Sequence, residues 1–171
     1  MNSSSSVRAR ARSGISIATF TPPSTAPSTR CAVPLSSRHE ITVEWGDCDP
    51  AGIVYYPAYF RWIDQATYRL FLAAGLKRDG LDNGRWTEGT PLVRAECAFR
   101  SASQHGEKLT IESHVSRFGR SSFTIAHVFR NTTGEIAAEG TETRIWARKE
   151  GDARTLKAVP IPEEVRRKLG E

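Results

Sequence analysis

The sequence predicts an α+β fold: one long helix laid on an antiparallel sheet of five or six strands, with a short helix closing the chain. Three observations carry that prediction. After Pro57, apolar residues recur at steps of three and four (Tyr59, Ile63, Ala66, Leu70, Ala73), the pattern of an amphipathic helix. Downstream lie four strand-like segments, the last three joined by short turns, which favours an antiparallel meander. Nothing else in the chain can cover the helix's wide apolar stripe, so the helix must lie on that sheet.

Taken in order, His39–Trp45 sets His39, Ile41, Val43 and Trp45 against Glu40, Thr42 and Glu44, the alternation of a half-buried strand. A turn-rich stretch, Gly46 to Gly52, leads to the helix, where Pro57 suits a first-turn position and Gly75 a C-terminal stop. The span is about 27 Å at 1.5 Å per residue. A Gly-, Asp- and Asn-rich loop is expected over Lys77–Thr90. Strands follow near Pro91–Arg100, Lys108–Phe118, Ser122–Arg130 and Glu135–Ala147, punctuated by Gly106, Gly119-Arg120 and Asn131–Gly134. A short strand near Thr155–Val159 precedes a helix opening at Pro162. There Glu163 and Glu164 complement the N-terminal dipole, and Arg166, Arg167 and Lys168 the C-terminal one.

Charge divides the chain in two. Residues 1–38 hold Arg8, Arg10, Arg12, Arg30 and Arg38 and no acid, which accounts for the whole net charge of +5. Residues 39–171 carry 19 basic and 19 acidic side chains, so that domain is formally neutral and a nucleic-acid partner is not expected. The Ser/Pro/Arg-rich leader has too little apolar surface to offset the entropy of ordering, and is expected to be a disordered extension. A cytoplasmic protein is expected, with organelle targeting through the leader as the alternative. No apolar run reaches the roughly 18 residues of a membrane span. Cys31, Cys48 and Cys97 form no Cys-x-x-Cys pair and no metal spacing with the four histidines, so neither metal nor cofactor is expected. Cys97 falls on the apolar alternation Val93, Ala95, Cys97, Phe99 and is expected in the core.

The chemistry-bearing stretch lies between the first strand and the helix. Asp47 and Asp49 sit in a tight loop before a helix N-terminus, whose unpaired N–H groups and partial positive charge suit a carbonyl oxygen gaining negative charge. A carboxylate opposite them can attack the carbonyl or activate water. Aspartates in loops are common, and the pair alone points weakly.

Trp45-Gly46-Asp47-Cys48-Asp49-Pro50-Ala51-Gly52-Ile53-Val54-Tyr55-Tyr56-Pro57-Ala58-Tyr59, continuing through Arg61-Trp62-Ile63-Asp64, resembles the signature of the 4-hydroxybenzoyl-CoA thioesterase family. The match extends to Gly89–Val93 and covers roughly residues 40–165. The resemblance implies the hot-dog fold and hydrolysis of an acyl-CoA, leaning to an aryl acyl group. It implies Asp49 as catalytic nucleophile or general base, and the Tyr56 amide N–H as the group polarising the thioester carbonyl. Thr90, Arg120 and Lys157 fall where substrate is held. Arg120 stands alone where the family has a basic cluster, and Lys157 replaces an arginine, keeping charge without the bidentate fork. At least a homodimer, and a homotetramer of two such dimers, is implied.

Other residues read differently. Asp47 is expected to organise the loop, Asp64 to be structural and the Tyr56 side chain to pack. Cys48, flanked by carboxylates that would raise a thiol's pKa, is a poor nucleophile. His127 alternates with Phe123, Ile125 and Phe129 and is expected to be buried and hydrogen-bonded. The alternatives are a non-catalytic acyl-binding domain, a dehydratase on the same fold, which would be expected to show a histidine in the motif, and a thioesterase for short aliphatic acyl-CoA.

Overall fold

The computed structural model describes residues 35–76, 88–150 and 155–171. The residues of the leader up to 34 and most of the Lys77–Thr90 loop lie outside them. The elements run β1 (Ser36–Thr42), α1 (Tyr56–Ala73), β2 (Glu88–Gly89), β3 (Leu92–Phe99), β4 (Lys108–Phe118), β5 (Ser122–Arg130), β6 (Ile136–Ile145), β7 (Ala147–Lys149), β8 (Leu156–Ala158) and α2 (Glu163–Lys168). Five strands form one antiparallel sheet in the order β1-β4-β5-β6-β3, and β2-β7-β8 make a small second sheet. The expected meander is β4-β5-β6, and α1 lies across the main sheet.

Local chemistry sets the ends of α1. Pro57 sits in the first turn, where an N–H would be orphaned anyway. At the other end Gly75 takes φ +66°, and the Leu76 N–H bonds back to Phe71 O at 2.9 Å, closing the helix. The helix buries Tyr59, Trp62, Ile63, Ala66 and Leu70. Each large apolar side chain so buried contributes about 1.5–3 kcal/mol.

The core beneath α1 has two apolar halves. One, at the N-terminal end of the helix, joins Val43, Val54, Tyr59, Trp62, Ile63, Leu109, Ile111 and Phe129. The other gathers Leu70, Val115, Phe123 and Ile125 with Ile161, Val165 and Leu169 from the C-terminal segment. Between them runs a buried polar seam of Thr67, Ser113, His127 and Glu142. His127 is buried and hydrogen-bonded, Nδ1 lying 2.8 Å from Ser113 Oγ, and burial lowers its pKa to about 4.

Several local expectations are corrected. β1 begins at Ser36 and ends at Thr42, so Trp45 is not on the strand. Residues Trp45–Asp47 form a 3₁₀ turn locked by reciprocal bonds between Glu44 and Asp47, and this turns Trp45 outward, 79% exposed. Glu88–Gly89, expected in a loop, pairs with β7. The last long strand breaks at Trp146 into β6 and β7. Cys97 is only partly buried, though enough to push its thiol up to about 11, because β3 is an edge strand and leaves Val93 and Phe99 exposed.

Candidate active site

Backbone hydrogen bonds fold Cys48–Val54 into a miniature hairpin. Cys48 bridges Val54, the Asp49 N–H donates to Ile53 O at 2.9 Å, and the Gly52 N–H returns to Asp49 O at 2.9 Å. Gly52 has φ +79°, a conformation that Pro50 and Ala51 could not supply at this corner. The hairpin is anchored to the segment before β4 by Val54 N–H to Ser103 O at 2.9 Å and an Ile53–Gln104 bridge.

The two aspartates take different roles. Asp47 is buried; it accepts the Glu44 N–H at 2.9 Å and pairs with the Arg61 guanidinium, so it organises the loop as expected. Asp49 is half-buried. Its Oδ1 accepts the Ala51 N–H at 2.8 Å, while no donor among the described residues meets Oδ2. One oxygen thus fixes the carboxylate and the other is open.

The helix start is tied to the same loop, since the Tyr55 N–H donates to Asp47 O at 2.8 Å. Tyr55 is the N-cap and offers no side-chain cap. The Ala58 N–H bonds to Tyr55 O at 2.9 Å and Pro57 has none to give. Among the described residues, the Tyr56 N–H is therefore the uncommitted donor of the first turn. The Tyr56 side chain does not pack in the core: it is 57% exposed and stacks edge-on against Tyr55, ring centroids 5.1 Å apart. Tyr59 and Trp62, by contrast, are core residues.

Thr90, Arg120 and Lys157 lie on other elements. The Thr90 carbonyl accepts a bond from Arg144 at the end of β6. Arg120 lies in the β4–β5 turn, its carbonyl receiving the Ile161 N–H at 3.0 Å. Lys157 lies on β8 opposite Arg148 and pairs with Glu150 at 3.0 Å, both side chains being exposed. Asp49 is anchored before the start of β4 and Arg120 follows its end. The 11 residues of that strand hold them roughly 30 Å apart within one protomer. No grouping of three or more metal-binding side chains occurs among the described residues.

Residues 43–169 match the model of the thioesterase-like superfamily. The chain belongs to that superfamily. It is 35% identical over 127 residues, 70% of this chain and 87% of the relative, to the 4-hydroxybenzoyl-CoA thioesterase of Pseudomonas sp. (strain CBS-3). A solved 4-hydroxybenzoyl-CoA thioesterase mutant complexed with 4-hydroxybenzoyl-CoA superposes with TM-score 0.72 at 30% identity, covering 80% of this chain and 99% of the other. A gentisyl-coenzyme A thioesterase superposes with TM-score 0.66 at 31% identity, covering 76% and 99%. The hot-dog fold expected from the sequence is the fold of this chain.

Sequence reasoning passed over Glu142 and Arg144. Both sit on the inward alternation of β6 with Ala138 and Gly140, and two charges on a core-facing register were the available signal.

Proposed function

We propose that this protein, an acyl-CoA thioesterase, hydrolyses an aryl-CoA to the free acid and CoA, with 4-hydroxybenzoyl-CoA the first substrate to try. What carries this is the pairing of a half-exposed Asp49 carboxylate, one oxygen fixed and one open, with a helix start whose Tyr56 N–H is uncommitted. Asp49 attacks the thioester carbonyl, the C–S bond breaks to release CoA, and water opens the resulting acyl anhydride; alternatively Asp49 deprotonates the attacking water directly. The Tyr56 N–H meets the negative charge developing on the carbonyl oxygen. The exposed Tyr55–Tyr56 pair suits an aryl group, and the relatives named above act on hydroxyaryl thioesters.

Thr90 holds the acyl end, and Arg120 and Lys157 hold CoA phosphates. Because Arg120 lies at the far end of β4 from the Asp49 hairpin in one protomer, the site needs a second copy. The exposed edge of β3 offers the means, with Leu92, Val93 and Phe99 presented to solvent. Leu92 adjoins Thr90, while Phe99 packs on Tyr59 at the Asp49 end. Antiparallel pairing of two β3 edges sets the Asp49 end of one protomer beside the Thr90 end of its partner. A homodimer is therefore the smallest active unit, and two dimers pair into a tetramer.

Thiol release from 4-hydroxybenzoyl-, benzoyl- and short-chain acyl-CoA, with wild type and Asp49→Asn, tests the proposal. Equal rates for the two proteins would sink the mechanism. A marked short-chain preference would move the substrate class away from aryl groups.

A further inference from the structure

Arg144 commits its guanidinium in three directions. Nε and Nη2 grip the two oxygens of Glu142 at 3.0 and 2.8 Å, Nη2 also reaches Asp64 of α1 at 2.7 Å, and Nη1 donates to the Thr90 carbonyl at 3.2 Å. Glu142, 2% exposed, is itself steadied by the Thr67 hydroxyl at 2.6 Å. Burial works against the charge of Arg144, but the Glu142 and Asp64 carboxylates outweigh it and raise its pKa above the ordinary value.

The corner that this arginine holds is one the backbone leaves weakly tied. Pro91 cannot donate to a ladder, and the β3–β6 register slips between Leu92 and Arg94. Pro91 O accepts the Ile145 N–H at 3.2 Å, and the residue before it is reached by a side chain instead. A planar fork backed by a buried carboxylate fixes direction as well as distance.

We propose that Arg144 is a positioning residue for the acyl pocket: backed by Glu142, it sets the Thr90 backbone against Asp64 of α1 and so fixes how the acyl group is held. This rests on the thioesterase reading, in which Thr90 holds substrate. Asp49 and the Tyr56 N–H are set by their own loop and have no bond to Arg144 among the described residues. The loss of Arg144 therefore acts on substrate binding and spares the chemical step.

The test is steady-state kinetics on 4-hydroxybenzoyl-CoA with Arg144→Lys, which keeps the charge and loses the fork. KM is expected to rise at least about tenfold while kcat stays within about threefold. Thr67→Val is the comparison, since it strips a bond from Glu142 without touching Thr90, and should lower the melting temperature with KM unchanged. Should Arg144→Lys fail to fold, the double variant Glu142→Leu/Arg144→Met replaces the buried pair with apolar bulk and keeps the question open to measurement; it too should raise KM. A wild-type KM in whichever of the two folds, or an equal KM rise in Thr67→Val, overturns the role of Arg144. A wild-type protein that releases no CoA from any of the thioesters would instead overturn the thioesterase reading itself.

Discussion

Two polar assemblies flank helix α1, and they are made in opposite ways. At its N-terminus, Asp49 is held by residues within four positions of it in the chain, half-exposed, with one carboxylate oxygen open. Midway along, Glu142 and Arg144 draw on Thr67, Asp64 and Thr90, partners 54 to 80 residues away, and the Glu142 carboxylate is fully enclosed. The first keeps one carboxylate oxygen open to solvent. In the second, Glu142 and Arg144 are buried and depend on each other, because a buried charge without a partner costs several kcal/mol, while Asp64 at its rim is exposed. The carboxylate proposed as reactive and the structural one thus differ in what remains uncommitted.

The sharpest way to break the contrast is at its reactive side. Asp49→Asn should lower kcat about 10³-fold, equivalent to about 4 kcal/mol of barrier, while leaving the melting temperature nearly unchanged. Thiol-release kinetics alongside thermal unfolding read both effects. On the closed side the pattern should invert. Glu142→Ala leaves buried Arg144 with the exposed Asp64 as its one remaining carboxylate among the described residues, and urea unfolding should show a loss of about 3–5 kcal/mol.

Acid should separate the assemblies next. Folded His127 titrates near 4, against 6.5 for an unperturbed histidine. Between those values the unfolded chain binds more protons, so this contribution is complete above about pH 6.5. It falls by about 3 kcal/mol on the way down to pH 4 and changes no further below. Urea unfolding from pH 7 to 4 measures the slope, and His127→Asn should flatten it. The smallest effect concerns the close packing of α1 on β6. A Cβ at Gly140 would lie 2.5 Å from Ile63 Cδ1, so Gly140→Ala should cost about 1–3 kcal/mol, part of it recovered by Ile63→Val.

The same contrast explains what was legible beforehand. The Asp49 loop and the ends of α1 are governed by neighbours in sequence: Pro57, Gly52 and Gly75 each announce their conformation. The alternation of β4 and β5 was equally plain. Trp45 was misjudged because the Glu44–Asp47 bonds overrode a strand pattern that ran three residues too far. Glu88–Gly89 becomes a strand only because β7 lies beside it, and β7 exists only because β6 breaks at Trp146. Of the seam, His127 was legible from its strand alternation, whereas Glu142 and Arg144 gave only their inward register, and their roles depend on distant partners.

That seam also acts as a vernier. Apolar side chains on neighbouring strands tolerate sliding by two positions, because the same faces stay inward and oil meets oil. A two-residue slip of β5 against β4 would carry His127 from Ser113 to Ile111 or Val115, and the same slip of β6 would pull Glu142 away from the Thr67 hydroxyl. Each move strands a polar group in a dry interior. The band across the middle of the core therefore marks one alignment of the strands as correct, where grease alone would accept several.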